Sequence, residues 1–333
     1  MRMYRTALLI LAATLQTACG GGGGDDGSGN NPPPPPPPPT GDAITSANGQ
    51  QISRGVVTST LFVKDLGLPD VVGPFVPTAI VGRPAAAKSP LSRAIGDAVR
   101  RGITSVRAIE TTSEDTIDCS LGGTLTITTN LANEDTLTEG DVISLVFDAC
   151  TQDDGTLNGA VDLTMTSVTG DVANPPFSVG MDISIDQVSL VQDDSFVSAD
   201  GVLTAILSSE TAQDLGLLLS GDSLTTVVDD ETITLSDFIM DEVDDLDTGQ
   251  YSLTVEGTYD SDALGTYDFA TTTIFVGASA DFPSEGELVI SGAEDTSAHV
   301  IALDNVNVRI ELDTDGDGAA DESMDTTWSD VGS

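Results

Sequence analysis

From about Thr111 to the C-terminus, apolar and polar residues alternate with a period of two, and this limits the fold more than any other feature of the chain. Leu157, Val161, Leu163 and Met165 alternate with Asp162, Thr164 and Thr166. Phe177, Val179, Met181, Ile183 and Ile185 follow the same rule, as do Tyr251, Leu253, Val255 and Tyr259. Alternation of this kind sends one set of side chains to a core and the other to water, as in antiparallel strands with one wet face. Abundant Thr and Val suit a pleated surface. A strand entering an Asp-rich turn recurs at Asp141–Ala160 and Asp186–Ala205, and more loosely at Ser236–Thr254 and Asp304–Asp321. The spacing is too irregular for a solenoid or a propeller. The expectation is a mostly β fold: an antiparallel meander forming a sandwich or a partly open barrel, with acidic turns gathered at one end. The stretch Thr211–Leu219 is expected to form a short helix.

Charge divides the chain. Residues 41–107 carry eight Lys/Arg against four Asp/Glu, whereas residues 108–333 carry 48 acids and a single basic residue, Arg309. Such a body does not bind nucleic acid, since phosphate contacts need Lys and Arg. The acids serve solubility, and beyond that divalent-cation binding or docking to a basic partner protein. The 41–107 segment reads as basic and partly helical, and 108–333 as the acidic antiparallel β domain. Within the basic segment, Ser89–Pro90 followed by Leu91, Ile95, Val99 and Ile103 marks a short amphipathic helix. Asn48 with Gln51 is placed to cap a helix through Ile52 and Val56. The β-branched run Val56–Val63 suits either helix or strand.

The first residues have the layout of a signal peptide, 1–18: Arg2 and Arg5, an apolar stretch Ala7–Leu15 too short to span a bilayer, then Thr17, Ala18 and Cys19. After Cys19 come five glycines, Gly20–Gly24, and eight prolines, Pro32–Pro39. This order resembles the lipobox of bacterial lipoproteins, although Gln16 stands where that family usually has Leu. The resemblance implies that Cys19 is lipidated and becomes the N-terminus, with residues 19–40 as a Gly/Pro-rich stalk. Polyproline extends roughly 3.1 Å per residue and would hold a folded body clear of the membrane. Gly20 in place of Asp implies the outer membrane, on the periplasmic or the surface face. Ordinary cleavage after Ala18 is the alternative.

With Cys19 given to the anchor, Cys119 and Cys150 remain. An even pair in an exported chain points to a disulfide. The two cysteines flank a hairpin of Thr124–Thr129 with Val142–Phe147. If they faced each other directly, Leu125 would meet Ser144, one residue out of phase with Ile143, Leu145 and Phe147. A bulge at Gly122–Gly123 would restore the phase.

Two motifs bear on chemistry. Asp313, Asp315 and Asp317, followed by Gly318 and Asp321, alternate in a tight turn, and hard cations such as Ca²⁺ collect six to eight oxygens. The spacing resembles the first half of an EF-hand loop and the Asp-rich loops of thrombospondin type 3 repeats, with Met324 where the EF-hand has its bidentate Glu. Calcium held by Asp313, Asp315, Asp317 and Asp321 is the expected structural cofactor; a solvated acidic turn is the plainer alternative.

The second motif, Gly221-Asp222-Ser223-Leu224, resembles the nucleophile block of GDSL esterases. That family also uses an Asp-x-x-His, whereas the sole histidine, His299, follows Asp295 at i+4. One histidine also excludes a His-rich zinc site. His299 reads as a structural or surface residue of a strand, and Trp328 as a staple of the last strand to the core. Taken together, the residues suggest a non-enzymatic, calcium-stabilised envelope lipoprotein with a structural or binding role. The first alternative is a carrier of a lipid or acyl chain in a curved sheet, and the second is a serine esterase using Ser223.

Overall fold

The computed structural model describes residues 41–64, 112–133, 137–152, 155–172, 174–192, 195–228, 230–278 and 281–332. Cys19, the signal and stalk segments, and the helix expected after Ser89 lie outside the described residues. The chain is mostly β. Its strands are β1 (Thr112–Asp118), β2 (Gly122–Asn130), β3 (Val142–Gln152), β4 (Gly155–Asp171), β5 (Asn174–Gln192), β6 (Ser195–Ser209), β7 (Asp214–Val228), β8 (Glu231–Asp245), β9 (Gln250–Ser261), β10 (Gly265–Ala278), β11 (Glu285–Ser291), β12 (Ser297–Ala302), β13 (Asn307–Asp313) and β14 (Glu322–Thr327). They form one antiparallel sheet in chain order, and among the described residues β1 and β14 are its two edge strands. The expected antiparallel meander is therefore one open sheet that does not close on itself.

Alternation sets which face is dry. Val161, Leu163 and Met165 of β4 are buried, as are Val179, Met181, Ile183 and Ile185 of β5. Their neighbours in sequence stay partly or fully exposed, with Gly180 as an exception. The expected helix at Thr211–Leu219 does not form. Residues 211–213 make a turn, and Leu215, Leu217 and Leu219 of β7 point into the core with Gly216, Leu218 and Ser220 between them. A period of two over six residues outweighs the helix propensity of a Leu-rich run.

The helix α1 (Gly49–Lys64) packs on the dry face and settles the Val56–Val63 ambiguity. Ile52, Val56, Val57, Phe62 and Val63 are buried at helical spacing. Its hydroxyl residues bond back along the helix, Ser53 Oγ to the Gly49 carbonyl at 2.8 Å and Thr60 Oγ1 to the Val56 carbonyl at 2.6 Å. Asn48 does act at the N-terminus, but backwards: its Oδ1 accepts from the Thr45 backbone N–H at 2.7 Å and from the Thr45 hydroxyl at 3.0 Å. The chain before α1 is pinned to the far end of the sequence. The Ile44 N–H donates to Thr296 Oγ1 at 2.8 Å, and the Ala293 N–H to the Asp42 carbonyl at 3.0 Å. A final turn of helix, α2 (Trp328–Val331), closes the chain. Trp328 does staple this end: its Nε1–H donates to the Pro283 and Asp304 carbonyls at 3.0 and 3.2 Å, and its ring stacks on Phe282.

Cys119 and Cys150 are joined, with Cα atoms 5.3 Å apart. They do not face each other in the ladder, because Cys119 lies in the β1–β2 turn. The register pairs Leu125 with Phe147, Ile127 with Leu145 and Thr129 with Ile143, and slips between Gly122 and Thr124. The slip restores the phase as the argument required, although the extra residue is on β3, at Ala149–Cys150 opposite Gly123, and not at Gly122–Gly123; the apolar faces of β2 and β3 coincide.

Three of the four loosely repeated segments contain a bulge, though not at the same place in each. Ala149 in β3, Gln187 in β5 and Asp237 in β8 are bulge residues with φ of 47°, 47° and 49°. In the first two, the next strand supplies a cap: Asn158 Oδ1 accepts from the Ala149 N–H at 3.0 Å, and Asp200 Oδ2 from the Gln187 N–H at 3.2 Å. A glycine follows each cap. A Cβ on Gly159 would lie 2.5 Å from the Gln187 carbonyl oxygen, so no other residue fits there without a backbone shift. Bulges of this kind bend and twist a strand. The turns of these hairpins are not all at one end, because connections in a meander alternate. The β3–β4, β5–β6 and β13–β14 turns share an end, and the β8–β9 turn lies at the other.

Candidate metal loop and the remaining candidate sites

The β13–β14 hairpin is closed by the Asp321 N–H donating to the Leu312 carbonyl at 2.8 Å, and residues 314–321 form its loop. Asp313 ends β13 and is only 3% exposed. Its Oδ1 accepts from the Gly316 N–H at 2.8 Å and its Oδ2 from the Gly318 N–H at 2.7 Å, which folds the loop around the carboxylate. Asp315 Oδ1 takes the Asp317 N–H at 3.2 Å, and Asp317 Oδ1 takes the Ala319 N–H at 2.8 Å. Gly316 and Gly318 have φ of 74° and 82°, so the bend uses two left-handed positions where the sequence pointed to one.

This folding brings carboxylate oxygens of Asp313, Asp315 and Asp317 within 4.8 Å of one another. Asp321 takes a different part. Its Oδ2 accepts from the Thr314 N–H at 2.9 Å and the Thr314 hydroxyl at 2.7 Å, bonds that hold its carboxyl below the usual range. Three of the four expected ligands therefore converge, while the fourth ties the two ends of the loop together. Three clustered carboxylates form an all-oxygen donor set of the kind hard cations take. The flanking elements are strands, so no EF-hand exit helix follows the loop.

Ser223 lies inside β7, beside a one-residue bulge at Gly221–Asp222. That is the middle of an antiparallel strand, not a strand-to-helix elbow. His299 is on β12, five strands further along the sheet, and its partners are others. Its Nδ1 is 2.7 Å from Glu287 Oε1 and its Nε2 is 3.2 Å from Ser297 Oγ. The hydrogen bond from His299 lowers the Glu287 pKa. Ser297, His299 and Glu287 are joined in the order of a catalytic triad, but on an open sheet face where Glu311 sits across the strand pair from His299 and Asp313 across from Ser297. Such surroundings disfavour a developing oxyanion.

Under α1, a cavity of about 70 Å³ is lined by Val57, Leu61, Leu253, Phe275, Leu288 and Trp328. Drug-sized ligands occupy roughly 300–1,000 Å³. The space is a packing gap too small for an acyl chain. A larger groove, about 710 Å³, lies on the wet face over β6, β7 and β8 and was not foreseen from the sequence. Its signal was the pairing of small residues, Ser220-Gly221 and Ser223, with exposed aliphatics on the neighbouring strands. Among the described residues, no helix is long and apolar enough to cross a membrane.

Compared with known protein families, curated proteins and solved structures, the chain matches none.

Proposed function

We propose that this chain is a non-enzymatic, lipid-anchored protein of the bacterial outer membrane, with a structural or binding role and a β-sheet stabilised by calcium. The convergence of Asp313, Asp315 and Asp317 within 4.8 Å carries the metal part of this reading. Calcium there would offset the repulsion of three carboxylates and tie β13 to β14, next to the turn that holds residues 42–44. The anchor rests on the Arg-rich start, the short apolar run, Cys19 and the Gly/Pro stalk. Against the esterase reading, Ser223 lies in mid-strand five strands from His299, and Asp313 and Glu311 face Ser297 and His299. The carrier reading has less support, since the cavity under α1 holds about 70 Å³.

The test is calorimetric titration of a Cys19→Ser chain with Ca²⁺, with thermal unfolding in parallel. Asp315→Asn/Asp317→Asn keeps the loop hydrogen bonds and removes two charges. Saturable binding that raises Tm, worth about 2.7 kcal/mol at a hundredfold excess over Kd, should vanish in the double variant. Binding that survives it would exclude this loop as the site. The anchor is tested separately by mass spectrometry of the native N-terminus: a diacylglyceryl mass on Cys19 supports it, and a free chain starting at Cys19 does not.

A further inference from the structure

The groove on the wet face has a chemistry of its own. Its floor is made by small residues of β7, Ser220, Gly221 and Ser223, and its walls by Val202 of β6 and Ile239 of β8. Val202 is 56% and Ile239 43% exposed, and the lining runs along β7 from Ser220 to Thr225. Exposed aliphatics lining a trough over three strands are unusual on a surface this acidic, where single exposed apolar residues are the norm. The trough follows β7, so it fits a chain in extended form.

Three carboxylates, Asp200, Asp222 and Asp237, stand at the groove, and no basic residue lines it. Gly221 pairs with Phe238 and Ser223 with Ser236, which leaves Asp222 and Asp237 side by side between them. Like charges placed opposite each other across strands are destabilising. Among the described residues only Asp313, Asp315 and Asp317 converge within 4.8 Å, so the groove acids are spread too widely to share one small ion. An anionic lipid or a fatty acid would be repelled by them. Lys and Arg side chains match both features, since their methylene stems cover apolar surface while their charged ends reach carboxylates.

We propose that this groove is a docking site for an extended, Lys/Arg-bearing segment of a partner protein. Its cations neutralise Asp222 and Asp237, and its stems lie against Val202 and Ile239. The proposal rests on the binding role given above, and neither the calcium loop nor the anchor enters it, so either can fail without affecting it.

The experiment uses the full Cys19→Ser chain and a fluorescein-labelled peptide of alternating Lys and Val, followed by anisotropy at physiological salt. Asp222→Asn/Asp237→Asn should weaken binding roughly tenfold or more, while Asp162→Asn/Asp268→Asn, the same charge change elsewhere on the wet face, should weaken it less than about twofold. Val202→Ser/Ile239→Ser should weaken it several-fold with no change of charge. Equal losses in the two Asp pairs would mean general attraction to an acidic surface and would overturn the proposal. So would an unaffected Val202→Ser/Ile239→Ser variant, or a wild-type chain that ignores the peptide. Asn at both positions removes repulsion, so loss of fold is not the expected outcome there, and circular dichroism checks it.

Discussion

Gly55 lies in the middle of α1, where alanine ordinarily stabilises a helix by about 1 kcal/mol. Here a Cβ would meet the hydroxyl of Tyr259, a side chain fully buried in β9. Burial also pushes the Tyr259 pKa up to about 12. Gly55→Ala should therefore cost about 1–3 kcal/mol in urea unfolding, the range for overpacking a core. In a Tyr259→Phe background, which removes the hydroxyl, the cost should shrink or reverse. If Gly55→Ala stabilises the wild-type chain, α1 does not sit this close to β9. At this scale the sequence was an uneven guide. Asp313, Asp315 and Asp317 were legible because alternate acids before glycine have few other uses. That Asp321 would bond to Thr314 was not, since its spacing suits a ligand and a loop tie equally well.

At the scale of elements, hairpins were legible because a period of two needs no tertiary information, and the β2–β3 phase argument required a slip in register. That slip puts its extra residue on β3, at Ala149–Cys150 opposite Gly123, a placement the phase argument did not give, and the bulges at Gln187 and Asp237 were not legible at all. What marks those at Ala149 and Gln187 is a pair of residues in the next strand, Asn158-Gly159 and Asp200-Gly201, at separations of 9 and 13 residues from the bulges they cap. Asn158→Ala should leave the Ala149 N–H without its cap and cost about 1 kcal/mol, whereas Asn158→Asp, which still accepts, should cost less. Equal costs would mean that the bulge does not depend on the cap. The same reasoning explains the misplaced helix at Thr211–Leu219: four leucines in nine residues suit a helix locally, and only the neighbouring strands, β6 and β8, draw them into a ladder.

At the scale of the molecule, net charge decides. A chain of formal charge −43 repels itself when folded. Raising NaCl from about 0.01 M to about 1 M shortens the screening length from roughly 30 Å to 3 Å. Tm measured with a chelator present should therefore rise with salt; a fall would mean that ion pairs such as Arg309–Asp325, 2.7 Å apart, outweigh repulsion.

Every strand pairs with its neighbour in the chain, so each can find its partner as soon as it is made. The exception is the first described helix, α1, which is synthesised before β1 and docks near β12, β13 and α2, across a separation of 252 residues at Ile44 and Thr296. Closing that loop is entropically the most demanding step and is rewarded only when the last strands exist. We predict that assembly runs from hairpins outward and ends where the chain begins. In pulse-labelled hydrogen exchange the amides of β4–β7 should be protected before those of α1; simultaneous protection would show that the helix joins the nucleus.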